Sequence, residues 1–107
     1  MLIWRRSKDL AILIYKIFKD NKDYSFKDQI ERAVISISNN IAEGHEKGSK
    51  RDFVKFLYIA KGSCGEVRSM IVIALELGYI DKNKYESIYS ELKEISKMIG
   101  GLIKKLS

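Results

Sequence analysis

Two pairs of polar side chains at helical spacing are the strongest candidates for chemistry in this chain of 107 residues. Asn40 and Glu43 lie in the segment S-I-S-N-N-I-A-E-G. Ser63 and Glu66 repeat the same three-residue step further along. Two carboxylates beside hydroxyl and amide groups could bind a metal ion or transfer protons. No Glu-x-x-His pair, catalytic triad or phosphate-binding loop accompanies them, so we expect no enzyme, no metal site and no cofactor.

A structural network is the alternative use of these side chains, and the sequence favours it. Each pair lies beside an apolar stripe of its own helix, and antiparallel helices would bring the two pairs together. Ser36 precedes Asn40 by one turn, and Arg32 could balance a carboxylate. A buried polar group without a partner costs about 1–3 kcal/mol, so a network there would fix one packing arrangement. The predicted members are Arg32, Ser36, Asn40, Glu43, Ser63 and Glu66.

The remaining reactive residues indicate no site. His45 is the single histidine and follows Gly44 in a predicted loop, where a histidine is normally solvated. Cys64 lies on an apolar helical seam and is predicted to be a small core residue. A single cysteine cannot form an intrachain disulfide, which is typical of a cytoplasmic protein.

Four helical segments must position these residues, at about 6–21, 25–43, 50–77 and from 81 onward. Ser25 and Ser49 are predicted N-caps, because each is followed three residues later by an aspartate, and Asp81 can cap the fourth segment. Gly44 suits a left-handed position at the end of the second helix, and Gly78 is predicted to end the third. The pair Gly100-Gly101 predicts fraying late in the last helix.

The apolar residues of the last two segments follow alternating three- and four-residue steps, as helix bundles require. The third segment carries Phe53, Leu57, Ala60, Cys64, Val67, Ile71 and Ala74, and the fourth carries Tyr85, Ile88, Leu92, Ile95, Ile99, Leu102 and Leu106. The connections are short, so neighbouring helices should be antiparallel. The predicted fold is all-α, an up-down-up-down four-helix bundle in a single domain over residues 1–107.

A basic cluster precedes and opens the third helix. The chain has 20 Lys and Arg against 14 Asp and Glu, a net charge of +6. Cations beside an exposed aromatic ring can hold phosphates and stack a base, so RNA or DNA is the predicted partner. The candidates are Lys47, Lys50, Arg51, Lys55 and Tyr58, with Arg5, Arg6 and Lys8 as additions from the first helix. The alternative is an ordinary solvated face in an Ile- and Lys-rich protein, since Glu46 and Asp52 interrupt the cluster.

The third helix has more apolar surface than one packing stripe needs. A second stripe beside the first predicts a homo-oligomer, because soluble monomers rarely expose a large apolar patch. Its candidate interface residues are Ile59, Met70, Ile73 and Leu77. A wider contact inside the bundle is the alternative. No apolar run reaches the length of about 18 residues that a membrane span needs.

Motifs along most of the chain resemble those of the four-helix-bundle proteins encoded in intervening sequences of bacterial 23S ribosomal RNA genes. The signature is Asn40-Ile41-Ala42-Glu43-Gly44. Further matching positions are Ile3-Trp4, Leu10, Tyr15-Lys16, Gln29 to Ala33, Ser36-Ile37, Asp52-Phe53, Phe56-Leu57, Ala60, Gly62-Ser63, Glu66 and Leu77 to Ile80. The chain departs from the family pattern at Ser38-Asn39 and at His45-Glu46-Lys47.

This resemblance implies a homo-pentamer with a central channel and no enzymatic activity. It also points to related bundles that serve as accessory proteins of reverse transcriptases in diversity-generating retroelements. Two hypotheses follow: a nucleic-acid-associated accessory protein acting through basic patches, or a scaffold or reverse-transcriptase subunit without nucleic-acid specificity of its own.

Overall fold

Four α-helices account for nearly all of the chain in the computed structural model, which describes residues 1–107. They are α1 (Leu2–Ile17), α2 (Tyr24–Glu46), α3 (Lys50–Glu76) and α4 (Lys82–Leu106). Each helix packs against its neighbour in sequence, and a smaller contact between α1 and α4 closes the bundle. The predicted all-α, up-down-up-down bundle is confirmed, with extents of 42 × 22 × 18 Å.

The core contains the predicted apolar seams of α3 and α4. Fully buried members include Leu57, Ala60, Cys64, Val67, Ile71, Leu92, Ile95 and Ile99. The opposing side of the core comes from α1 and α2, through Ile14, Ile30, Val34, Ile37 and Ile41. These side chains leave water together, which is the main stabilising contribution to a bundle of this size. None of the four helices is long and apolar enough to span a bilayer.

The ends of α3 and α4 follow the predicted capping chemistry. The Ser49 hydroxyl accepts a hydrogen bond from the backbone N–H of Asp52 at 3.1 Å. Asp81 accepts one from the backbone N–H of Lys84 at 2.7 Å. Each satisfies a donor that the first turn of a helix otherwise leaves free. Gly78 follows the end of α3, as predicted, and takes a left-handed conformation with a φ of 76°.

Two predicted boundaries are wrong. The first helix begins at Leu2 instead of about residue 6, because Ile3 and Ser7 already belong to its buried face. It ends at Ile17 instead of about residue 21. The N-cap of α2 is Asp23 rather than Ser25, since the Asp23 carboxylate accepts the Phe26 N–H at 3.2 Å. The aspartate also reaches Tyr79, which gives it a second role that Ser25 could not take.

Gly44 does not end α2, contrary to the prediction. It is buried inside the helix, and a Cβ built at this position would lie 2.7 Å from Cβ of Phe56. The glycine is therefore required by close packing of α2 on α3. Gly48 takes the left-handed conformation instead, with a φ of 82°, two residues after α2 ends. The pair Gly100-Gly101, where fraying was predicted, lies inside α4, which continues to Leu106.

Candidate nucleic-acid interface

The connection between α2 and α3 presents the predicted basic cluster. Close packing at Gly44 fixes the end of α2 against α3, and the left-handed Gly48 turns the chain into the Ser49 cap. Lys47, Lys50, Arg51 and Lys55 are all exposed and form no ion pair with any carboxylate of the chain. The loop residue Lys47 and three cations at the start of α3 therefore present four side chains without ion-pair partners at one end of the bundle. We call these four residues and Tyr58 the loop patch.

Two aromatic rings accompany these cations. The Lys47 ammonium lies 5.6 Å from the centroid of the Phe56 ring of α3. Tyr58 is 59% exposed, two turns after Arg51 and one turn after Lys55 in sequence. An exposed ring on the same helix as several cations is a surface on which a base can stack while phosphates are neutralised.

The position of Lys50 and Arg51 is unfavourable for the helix itself. They lie in the first turn of α3, where the helix dipole places partial positive charge. Asp52 offsets this only in part, as the one acidic residue of that turn. An anion bound at this end would relieve the repulsion between the cations and the dipole.

The three α1 cations differ in their availability. Arg6 is not a free cation, because its guanidinium donates to Glu91 from Nε at 3.0 Å and from Nη2 at 2.6 Å. This pair joins α1 to α4 and holds Arg6 away from the loop. Lys8 pairs with Asp9 at 2.8 Å and lies 5.8 Å from the Trp4 ring centroid. Arg5 is exposed without a partner, at the same end of the bundle as the loop patch.

Half of the predicted polar network forms a continuous contact between α2 and α3. The hydroxyls of Ser36 and Ser63 lie 2.9 Å apart. The Asn40 amide donates to the Ser36 hydroxyl at 2.9 Å and to the Ser36 carbonyl oxygen at 2.7 Å. The bond between the two serines crosses the most extensive helix contact of the bundle, and the Asn40 bonds, which lie within α2, hold Ser36 in place for it.

The charged half of that network does not form. Arg32, Glu43 and Glu66 are exposed and make no hydrogen bond or ion pair within the chain. Their positions on the helices turn them outward, past the edge of the α2–α3 contact. No three His, Cys, Asp or Glu side chains are grouped so as to hold a metal ion.

Three of the four residues predicted to form an oligomer interface are exposed in the single chain. Ile59, Ile73 and Leu77 are 46%, 46% and 54% exposed. The prediction that Met70 lies on this surface is wrong, because Met70 is only 5% exposed and belongs to the core. Its position on α3 turns it towards α2, so the wider contact considered as an alternative covers Met70 and leaves the other three open.

An apolar groove between α1 and α2 was missed by the sequence reasoning. Trp4, Ile12, Tyr15 and Ile35 line it and are between 38% and 46% exposed. The signal was present in α1, where large apolar residues occupy more than one face of the helix. An Ile-rich composition obscured it, because the same residues also fit a core stripe.

The two remaining candidates have ordinary surroundings. Burial raises the pKa of the Cys64 thiol to about 11, so the thiol stays protonated at neutral pH. His45 lies in the last turn of α2, so the prediction that it falls in a loop is wrong. It contacts the Phe53 ring, with centroids 5.7 Å apart, and is otherwise exposed.

The comparisons with known proteins agree on one family. A family model described as 23S rRNA-intervening sequence protein matches residues 1–101. A crystal structure of a protein with unknown function from the S23 ribosomal protein family, from Bacteroides thetaiotaomicron VPI-5482, is similar over 95% of this chain and 98% of that one. The two share 30% sequence identity with a TM-score of 0.89. No curated protein matches the sequence.

Proposed function

Because the chain belongs to the family of 23S rRNA-intervening sequence proteins, we propose that it is a non-enzymatic accessory protein that binds RNA or DNA through the loop patch. The observation that carries this proposal is the group of four exposed cations without ion-pair partners around Tyr58. Neutralising phosphates would release condensed counterions, which is the main source of affinity in sequence-independent binding. The setting of this activity would be the cytoplasm.

The composition of the loop patch favours contact with the phosphate backbone over reading of base edges. Three of its four cations are lysines, which act as point charges without the planar fork that pairs with guanine. Arg51 is the single residue with that geometry. Tyr58 adds stacking, which every base can accept. We therefore expect low sequence preference.

The test is binding of a fluorescently labelled RNA hairpin, followed by anisotropy at about 50 and about 200 mM salt. A triple variant with Lys50→Glu, Arg51→Glu and Lys55→Glu should lose binding at both salt concentrations. The matched control is Lys22→Glu, Lys82→Glu and Lys84→Glu, which makes the same change in charge among exposed residues at the opposite end of the bundle. Equal loss in the two variants would show that net charge, not the loop patch, controls binding.

Self-association is the second part of the proposal, and the exposed Ile59, Ile73 and Leu77 support it. Burying apolar surface contributes roughly 25 cal/mol per Å², so three large side chains favour a partner of the same chain. The family resemblance suggests a pentamer. In such an assembly each loop patch would be repeated, and weak contacts to one nucleic acid would act together.

The alternative function is a scaffold, or an accessory subunit of a reverse transcriptase, that contacts only protein. The exposed apolar surfaces fit this alternative as well as they fit self-association. No binding of RNA or DNA at the lower salt concentration, together with a stable oligomer, would favour the scaffold. A single species of 12.4 kDa at micromolar concentration would refute self-association.

A further inference from the structure

Two stretches of the α3–α4 face carry lysines and no acidic residue. They are residues 53–65 of α3 and residues 95–107 at the end of α4, and the two helices pack against each other. Their lysines are all exposed, and none forms an ion pair. These five residues are Lys55, Lys61, Lys97, Lys104 and Lys105. This part of the surface therefore has a positive charge that the folded chain does not balance.

Three of these lysines gather around one point of the α3–α4 contact. The Lys61 ammonium reaches from α3 to α4, where it lies 3.7 Å from a Cβ built on Gly100. Lys97 precedes Gly100 by three residues and Lys104 follows it by four, so all three positions share one side of α4. We call Lys61, Lys97 and Lys104 the seam lysines. Like charges gathered in this way repel one another, and a bound anion relieves the repulsion.

The seam lysines continue the loop patch along α3. Lys55, Tyr58 and Lys61 follow one another at three-residue steps, which places them on adjoining parts of the helix surface. The exposed Tyr58 ring therefore lies between a cation of the loop patch and the first seam lysine. The helix rises by about 17 Å from Lys50 to Lys61. This distance is long enough for several consecutive phosphates of one strand.

Carboxylates mark the far end of this basic surface. Glu66 on α3 and Glu94 on α4 are the first acidic residues beyond the two stretches, and both are exposed. Because α3 and α4 are antiparallel and Lys61 lies beside Gly100, the two glutamates come at about the same height on their helices. Asp52 borders the surface at the loop end. The basic surface thus runs from the loop patch along the α3–α4 seam and ends at the two glutamates.

We propose that the loop patch and the seam lysines form one continuous site for single-stranded nucleic acid. The inference rests on the nucleic-acid binding proposed above and adds the path of the strand and the kind of nucleic acid. The strand leaves the loop patch at Tyr58 and continues along the α3–α4 seam as far as Glu66 and Glu94.

The width of the seam favours a single strand over a duplex. Two packed helices lie about 8–10 Å apart, whereas the major groove of a duplex is by itself about 12 Å wide. A duplex therefore rests on the rim of the seam and does not enter it. It also keeps its bases stacked on one another, whereas a single strand offers a base to Tyr58 while its phosphates meet the lysines.

Neutralising the seam lysines tests the path of the strand. The seam variant carries Lys61→Gln, Lys97→Gln and Lys104→Gln, and its matched control carries Lys22→Gln, Lys82→Gln and Lys84→Gln at the opposite end of the bundle. Anisotropy of a labelled single-stranded RNA of about 16 nucleotides is measured between about 50 and about 200 mM salt. The slope of log affinity against log salt should be smaller by about 2 in the seam variant, since each phosphate contact of a single strand accounts for about 0.7. The control should keep the wild-type slope and affinity.

The outcomes separate the seam site from the proposed function. Unchanged binding by the seam variant, with binding lost in the triple glutamate variant of the loop patch, would overturn the seam site and leave the loop patch intact. Equal loss in the seam variant and its control would also overturn it, because net charge would then control binding. No binding by the wild-type protein at the lower salt concentration would refute both proposals.

The same strand annealed to its complement tests the kind of nucleic acid. Neutralising the seam lysines should lower the salt slope for the single strand and leave the slope for the duplex unchanged, because the duplex does not enter the seam. Tyr58→Ala should likewise weaken binding of the single strand and not of the duplex. Equal changes for the two nucleic acids would overturn the assignment to single strands.

Discussion

The Tyr79 hydroxyl donates a 2.6 Å hydrogen bond to Oδ2 of Asp23, 56 residues away in sequence. The same carboxylate caps α2 through its other oxygen. One side chain thus ties the α1–α2 turn to the α3–α4 turn. Phe26 packs between them, with its ring centroid 5.4 Å from that of Tyr79. This end of the bundle is closed by specific contacts, and the loop patch lies at the other end.

Replacing Asp23 should destabilise the protein more than replacing Tyr79. Asp23→Ala removes the helix cap and the bond to Tyr79, whereas Tyr79→Phe removes only the bond. Urea denaturation followed by circular dichroism should give the order of midpoints wild type, Tyr79→Phe, Asp23→Ala. Equal midpoints for the two variants would show that the cap contributes nothing beyond the bond.

The difference between wild type and Tyr79→Phe should also depend on pH. The bond from Tyr79, followed by that from the Phe26 N–H, lowers the pKa of Asp23 below its ordinary value. An aspartate in the unfolded chain has a pKa of about 3.9, and above that pH the ionised Asp23 carboxylate stabilises the folded state. This contribution is lost as the pH falls through the lower pKa that Asp23 has in the folded protein. The urea midpoints of wild type and Tyr79→Phe should differ most at neutral pH and should approach each other as the pH falls below the unfolded pKa of aspartate. A difference that grew with acid would contradict this sign.

Gly44→Ala should destabilise the bundle by about 1–3 kcal/mol, since the added Cβ would displace Phe56 or the backbone of α2. Gly101→Ala is the matched control, because Gly101 is also helical and a Cβ there meets nothing within 4 Å. It should stabilise by up to about 1 kcal/mol. Thermal unfolding of both variants measures the contrast, and stabilisation by both would refute the close contact at Gly44.

Ser36 and Ser63 should be coupled in a double-mutant cycle. Ser36→Ala leaves the Ser63 hydroxyl with only the Ile59 carbonyl oxygen as its partner, and it also removes one acceptor of Asn40. The coupling free energy should be about 0.5–1.5 kcal/mol. Ser25, an exposed serine near the start of α2, supplies a control pair with Ser63 that should show no coupling.

Cys64 should be inert in the native protein. Its pKa of about 11 leaves little thiolate, and its side chain is fully buried. Ellman's reagent should therefore react slowly at pH 8 and fast in denaturant, at a native rate set by opening of the core. Fast native labelling would show that the α3 seam opens readily.

The salt dependence of RNA binding should identify phosphate contacts within the loop patch. The single charge variant Lys55→Ala, which weakens binding without abolishing it, should reduce the slope of log affinity against log salt by about 1. Tyr58→Ala should weaken binding without changing that slope, because stacking releases no counterions. A slope unchanged in the charge variant would place the phosphates elsewhere.

The sequence predicted the fold because apolar spacing in α3 and α4 follows directly from burial. It failed at Gly44, where local rules favour a helix end and only the three-dimensional approach of Phe56 explains the residue. Ser36, Asn40 and Ser63 could be paired from periodicity. The outward positions of Arg32, Glu43 and Glu66 could not, because they depend on how far the α2–α3 contact extends.

Which cations are free of ion pairs could not be predicted from the sequence either. Arg6 and Arg5 are neighbours in sequence, yet only Arg6 meets a carboxylate, across the α1–α4 contact. An ion pair between residues 85 positions apart leaves no local pattern. The α1–α2 groove was missed for a different reason, because its apolar residues on α1 also fit a core stripe.

The thin α1–α4 contact has a consequence for synthesis. It is the only helix contact in the bundle between elements that are not consecutive in the chain. Each of the other contacts can form as soon as the next helix leaves the ribosome, so most of the native structure has low contact order. The α1–α4 seam closes only after α4 has been synthesised, and the Arg6–Glu91 pair joins these two helices across it.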